Sequence, residues 1–232
     1  MKKTFLSILL CAAGFGTASM LTACGDSSPA SQVSTFISEA EKNVPLEVSP
    51  CLGNIPSLQL QYKEAERLLE EQVKQRKQEA EEKFKSGGSM EDAIRQTEII
   101  SDERKAMKKE LKQVFTERIM TEAKKIEGTA IPCDADGVQF SKVTGKLVCA
   151  KDSSIYHPLY FEAEVALEAP FKGYAAYCSW EYQDAQGQKI TAGTEYLKDW
   201  KGLKAGDKFT LQFPVSTDKE QGMKLAKLYF KK

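Results

Sequence analysis

A narrow apolar stripe, broken once and then replaced by strict alternation, constrains this chain more than any other feature. Between Ser57 and Glu127 the apolar residues recur at three, four or seven positions: Tyr62, Ala65, Leu69, Val73, Ala80 and Phe84, then Ala93, Ile100, Met107, Leu111 and Val114. Beyond Val114 the stripe shifts to Phe115, Ile119, Ala123 and Ile126. That spacing predicts two long helices with a coiled-coil-like seam. The break falls at Ser86-Gly87-Gly88-Ser89. Its glycines end the first helix, and Ser89 with Asp92 forms a capping box that opens the second, with Glu91 favourable at the dipole. Gly128 closes it. At 1.5 Å per residue the expected antiparallel hairpin, residues 56–128, is roughly 45 to 55 Å long.

The 72 residues from Pro56 to Glu127 carry 16 acidic and 16 basic side chains, the balance of a solvated surface around a narrow seam. Arg76 and Arg104 fall on stripe positions. Either their stems are buried with the heads exposed, or they meet something else.

From Thr129 the period drops to two. Leu159, Phe161, Ala163, Val165 and Leu167 alternate with polar or small residues, as do Tyr174, Ala176, Cys178, Trp180 and Tyr182. Turns at Asp184-Ala185-Gln186-Gly187 and Leu203-Lys204-Ala205-Gly206-Asp207 separate further strands over Lys189 to Leu197, Phe209 to Val215 and Met223 to Phe230. One or two more are expected over Val138 to Ala150. Six or seven short strands in about 100 residues imply an antiparallel sandwich, so the fold class is α+β. The order of strands and turns resembles the immunoglobulin-like domains of small bacterial lipoproteins. That resemblance implies a non-catalytic domain and transfers no functional residues.

The other end of the chain carries an address. Lys2 and Lys3 precede an apolar stretch, Phe5 to Ala18, too short to remain as a membrane span, and Leu21-Thr22-Ala23-Cys24 follows. The segment resembles a bacterial lipoprotein signal. The resemblance implies cleavage after residue 23, a fatty-acylated Cys24, and a protein held in the cell envelope through membrane lipid. Gly25 follows the cysteine and Asp26 comes one place later, which favours the outer membrane in this family. Two or three acyl chains give stable anchoring where one is marginal. Residues 1–23 then form the signal peptide and 24–32 a flexible tether. Residues 33–55 form a short helix, with Phe36, Ile37 and Ala40 at helical spacing, and a proline-rich extended segment. Residues 129–232 form the β-domain.

Lys and Arg number 33, as do Asp and Glu, so no basic excess favours nucleic acid. Apart from Cys11 in the signal and Cys24, the cysteines are Cys51, Cys133, Cys149 and Cys178. An oxidising compartment makes these candidates for disulfides, and four allow three pairings. Cys51 and Cys133 flank the hairpin and could clamp its base, stabilising it by about 4 to 5 kcal/mol. Cys149 and Cys178 could pair within the sandwich.

His157 is the single histidine. Phosphate-cradling loops, nucleophile elbows and zinc-ligand spacings are missing from the mature sequence, so no catalytic residue, metal ligand or cofactor is expected. Seven of eight tyrosines and both tryptophans lie in the β-domain, where they chiefly pack strands. Tyr156, Tyr160, Tyr177 and Trp200 fall at loop or off-core positions and form a candidate binding surface for glycan or peptide. An envelope protein is the expected partner. The hairpin also resembles the helical arms of periplasmic efflux adaptors, a reading that needs β segments on both of its sides.

Overall fold

The computed structural model describes residues 29–135, 140–168, 177–183, 186–196, 204–215, 217 and 225–230. The expected signal peptide, Cys24 and Trp200 lie outside the described residues. The chain is α+β, and its described residues form three helices and two sheets: α1 Pro29–Asn43, α2 Ile55–Lys85, α3 Met90–Ile126, β1 Cys133–Ala135, β2 Phe140–Cys149, β3 Leu159–Leu167, β4 Tyr177–Gln183, β5 Lys189–Tyr196, β6 Lys208–Pro214 and β7 Leu225–Phe230. No helix among the described residues is long and apolar enough to cross a membrane.

α1 starts inside the stretch expected as tether. Pro29 sits at its first position, where the missing N–H is no loss. Val33, Phe36 and Ala40 are buried on one face. The chain then descends beside α2: Gln61 Nε2 donates to Val44 O at 2.8 Å, and Ser57 Oγ donates to Glu47 O at 3.0 Å.

α2 and α3 bury the expected seam. Tyr62, Ala65, Leu69, Val73 and Ala80 face Ile100, Met107, Leu111, Phe115, Ile119 and Ala123. Arg76 and Arg104 have found partners across it. Arg104 pairs with Glu70 at 2.6 Å and Arg76 with Glu103 at 2.5 Å, their stems part-buried. Phe84, placed on the seam by its spacing, is instead exposed. The reason is the turn: Gly87 N–H donates to Phe84 O and Gly88 N–H to Lys83 O, both at 3.1 Å, which is the bonding of a Schellman stop. No buried α3 residue precedes Ile100 to cover Phe84. Ser89 caps α3 by accepting from Asp92 N–H at 3.2 Å.

After α3 the chain pairs briefly with β2. Gly128 N–H donates to Leu147 O, Leu147 N–H to Thr129 O, and Ile131 N–H to Gly145 O. It then crosses to the other sheet as β1. One sheet has the order β2-β3-β6, the other β1-β7-β4-β5. All pairs are antiparallel except β1 with β7, which is parallel and was not expected. In a constant-type immunoglobulin order β1 would neighbour β2, and β7 would share a sheet with β3 and β6. The described residues thus hold seven strands in two sheets, of four and three, whose order is not that of a constant-type immunoglobulin domain.

The sheets meet through large rings. Trp180 of β4 stacks on Phe213 of β6 at 4.6 Å, and Phe161 of β3 meets Tyr182 of β4 edge-on at 6.2 Å. Helices and sheets share one continuous core, running from Val33 and Leu69 through Phe115 and Ile131 to Phe161 and Val215.

Candidate functional site

The candidate aromatics do not form one surface. Tyr156 and Tyr160 lie near each other in sequence at the base of α2. Gln59, buried in that helix, donates Nε2 to Ile155 O at 2.5 Å, which docks the loop. Tyr156 meets Tyr62 edge-on at 6.4 Å, and Tyr62 meets Phe115 at 5.6 Å, so part of the Tyr156 ring serves packing. The Tyr62 hydroxyl donates to Glu66. Burial, reinforced by the Glu66 carboxylate, pushes its ionisation well above the ordinary phenol range.

Tyr160, second in β3, lines a polar hollow of about 580 Å³ together with Cys149, Asp152, His157, Glu162 and Gln212. These residues come from the end of β2, the following loop, β3 and β6. The register brings them together by setting Cys149 opposite Leu159 and Glu162 opposite Gln212. Glu162 accepts from Gln212 Nε2 at 2.8 Å and lies 3.3 Å from Lys146 Nζ. Both contacts lower its pKa, Gln212 the more, so the carboxylate is an ionised acceptor rather than a proton donor. The Cys149 thiol is pushed up by burial and by Glu127, the opposite of what an attacking thiolate needs. His157 N–H donates to Ser154 Oγ at 3.1 Å, which fixes the loop that carries the ring. The arrangement suits hydrogen-bonding recognition of a polar ligand.

Tyr177 lies elsewhere, on β4. It tilts against Tyr196 of β5 at 5.3 Å, and both rings are about half exposed. Tyr196 was not singled out in the sequence; its signal is the β4–β5 register, which sets it opposite Tyr177.

A second feature missed in sequence is the far end of the α2–α3 pair. Phe84, Met90, Ile94 and Ile99 are 42%, 66%, 50% and 46% exposed. Phe84, Met90 and Ile94 line an apolar groove of about 480 Å³. The i, i+4 spacing of Met90 and Ile94, off the buried stripe, was the available clue.

Cys133 and Cys178 stand close enough that the first adds to the upward pKa shift of the second. The expected pairs, Cys51 with Cys133 and Cys149 with Cys178, are not bonded in this structure. Cys149 and Cys178 belong to different sheets. Burial pushes the thiols of Cys133 and Cys178 up to about 12. Among the described residues no group of three or more His, Cys, Asp or Glu is placed to hold a metal ion.

No family profile matches the chain, and no curated protein does. A solved structure, that of Campylobacter jejuni cj0090, is similar over 43% of this chain and 97% of its own, at 13% identity and a TM-score of 0.23. A likeness at that score carries no argument about fold or activity.

Proposed function

We propose that this is a non-catalytic, lipid-anchored protein of the bacterial envelope, in which an antiparallel helical hairpin spaces a two-sheet β-unit from its anchor and presents it to a protein partner. The observation that carries the reading is the Leu21-Thr22-Ala23-Cys24 signal set at one end of a chain whose helices and sheets share a single core. Supporting it, the junction is stiff. α3 is bonded directly to β2 through Gly128 and Glu127, and α2 to the 150–158 loop through Gln59. A unit fastened in this way keeps its orientation relative to the helices, as a spacer requires.

The second reading makes the β-unit a glycan or peptide binder. Its support is the polar hollow beside Tyr160. The efflux-adaptor resemblance has less support, because the only β pairing before α2 among the described residues is the single Ser49–Gly53 bridge.

Photoreactive residues at Tyr160 and Tyr177, in intact cells, separate these readings. A specific protein adduct at Tyr177 supports partner presentation. Glycan-dependent labelling at Tyr160 alone transfers the function to the hollow. Turnover of an envelope substrate by the purified full chain overturns the non-catalytic reading.

A further inference from the structure

The exposed apolar end of the helical pair has no covering element among the described residues, and the path of the chain says what lies near it. Asn43 Nδ2 donates to Glu64 Oε1 at 2.8 Å, Gln61 Nε2 reaches Val44 O at 2.8 Å, and Ser57 Oγ reaches Glu47 O at 3.0 Å. As the chain advances from 43 to 47, its partners on α2 step back from 64 to 57. It is therefore descending α2 toward the sheets. α1 feeds this descent and packs along the same core through Val33, Phe36 and Ala40, so it climbs toward the Gly87-Gly88 turn when followed upstream. Its 15 residues carry Pro29 about 20 Å from Asn43, while Glu64 is about 30 Å from Lys85 at the same rise per residue. The start of α1 thus stands within about 10 Å, along the helix axis, of the apolar end.

Only Gly25, Asp26, Ser27 and Ser28 separate Cys24 from Pro29. Five residue steps span at most about 17 Å. An acylated Cys24 therefore holds the bilayer surface close to the end of the pair that carries Phe84, Met90, Ile94 and Ile99.

We infer that this apolar end docks on the lipid surface to which Cys24 is anchored, so that the helices stand on their turn and hold the sheets about 45 Å away, the length of α2. The inference rests on the lipid-anchored reading of Cys24. The contact is apolar and not electrostatic, because residues 77–99 carry four basic and six acidic side chains. Such a patch binds free vesicles weakly. The acyl anchor makes the contact intramolecular, and a weak affinity then suffices.

The test uses the full mature lipoprotein in vesicles of phosphatidylethanolamine and phosphatidylglycerol with brominated acyl chains. Met90→Trp places a reporter at the apolar end, and Tyr156→Trp places one at the base. Both sites are exposed, and the parent protein supplies the background from its own tryptophans. The expected result is loss of the added fluorescence in the Met90→Trp protein, unchanged by high salt, and none in the Tyr156→Trp protein. If the protein is acylated and floats with the vesicles while the Met90→Trp reporter stays unquenched, the docking is overturned and the anchor stands. If mass spectrometry finds Cys24 unmodified, the anchor falls and takes the docking with it. A protein adduct in cells from a photoreactive residue at Ile94 also overturns it, by giving that face to a protein partner.

Discussion

Two strand glycines show how closely side chains approach the backbone here. A Cβ built on Gly193 would lie 2.2 Å from the Trp180 ring, and one on Gly145 would lie 2.1 Å from the Phe161 ring. Both rings belong to the contacts that join the sheets, so neither can swing away freely. Gly193→Ala is expected to destabilise the protein by about 1–3 kcal/mol through overpacking, read as a lower urea midpoint with an unchanged slope. An unchanged midpoint would mean that Trp180 has room to move. Carboxylates on α2 make a second residue-level expectation. Arg67 and then Asn43 lower Glu64 to about 2, and Arg104 lowers Glu70. The unfolded chain takes up these protons near the ordinary glutamate value of about 4.3, before the folded chain does. The stability they contribute is thus complete above about pH 5 and is lost as pH falls toward about 2. The pairs are near the surface, so the effect is modest. Thermal melting should begin to drop below about pH 5, and Glu70→Gln with Arg104→Gln should flatten part of that drop. A melting temperature constant from about pH 6 to 2.5 would contradict it.

At the scale of elements, what was legible follows from what periodicity measures. The seam from Tyr62 to Ala80 and from Ile100 to Ala123 was readable because each buried residue sits three, four or seven from another. Phe84 obeys the same spacing but is exposed, since spacing records a face and not whether a partner reaches it. Alternation likewise gave the faces of β3 and β6, yet it carries no information about neighbours. The order β1-β7-β4-β5 and the parallel β1–β7 pair were therefore invisible, and the three residues of β1 are too few to alternate. The hollow at Tyr160 was half legible. Tyr160 and His157 drew attention by position, whereas Gln212 joins them only through the β3–β6 register. The turn at Gly87 was readable, and its cost can be tested. Gly87 has φ +104°, and a Cβ there would meet nothing within 4 Å. The penalty of Gly87→Ala is thus purely conformational, about 1–2 kcal/mol, and Gly87→Asn should lose less. Equal loss for both in chemical denaturation would place the cost in contacts rather than backbone.

For the whole molecule, the account joins an acyl anchor, a helical spacer and a two-sheet unit fastened to the spacer's base. The seam of α2 and α3 is continuous with the core of the sheets, and cross-helix ion pairs hold its register at the surface, as the proposed spacer requires. In the proposed arrangement the anchor and the sheets sit at opposite ends of the helical pair, with the Tyr177–Tyr196 pair on the sheets and the hollow at Tyr160 beside the junction with the helices. Everything in this arrangement depends on Cys24. The most direct measurement is therefore the intact mass of the chain isolated from the membrane fraction, beside a Cys24→Ser variant. The account predicts a chain that begins at Cys24 and carries diacylglyceryl and acyl groups, with the variant unlipidated and uncleaved. A mature chain of unmodified mass in the soluble fraction would contradict it.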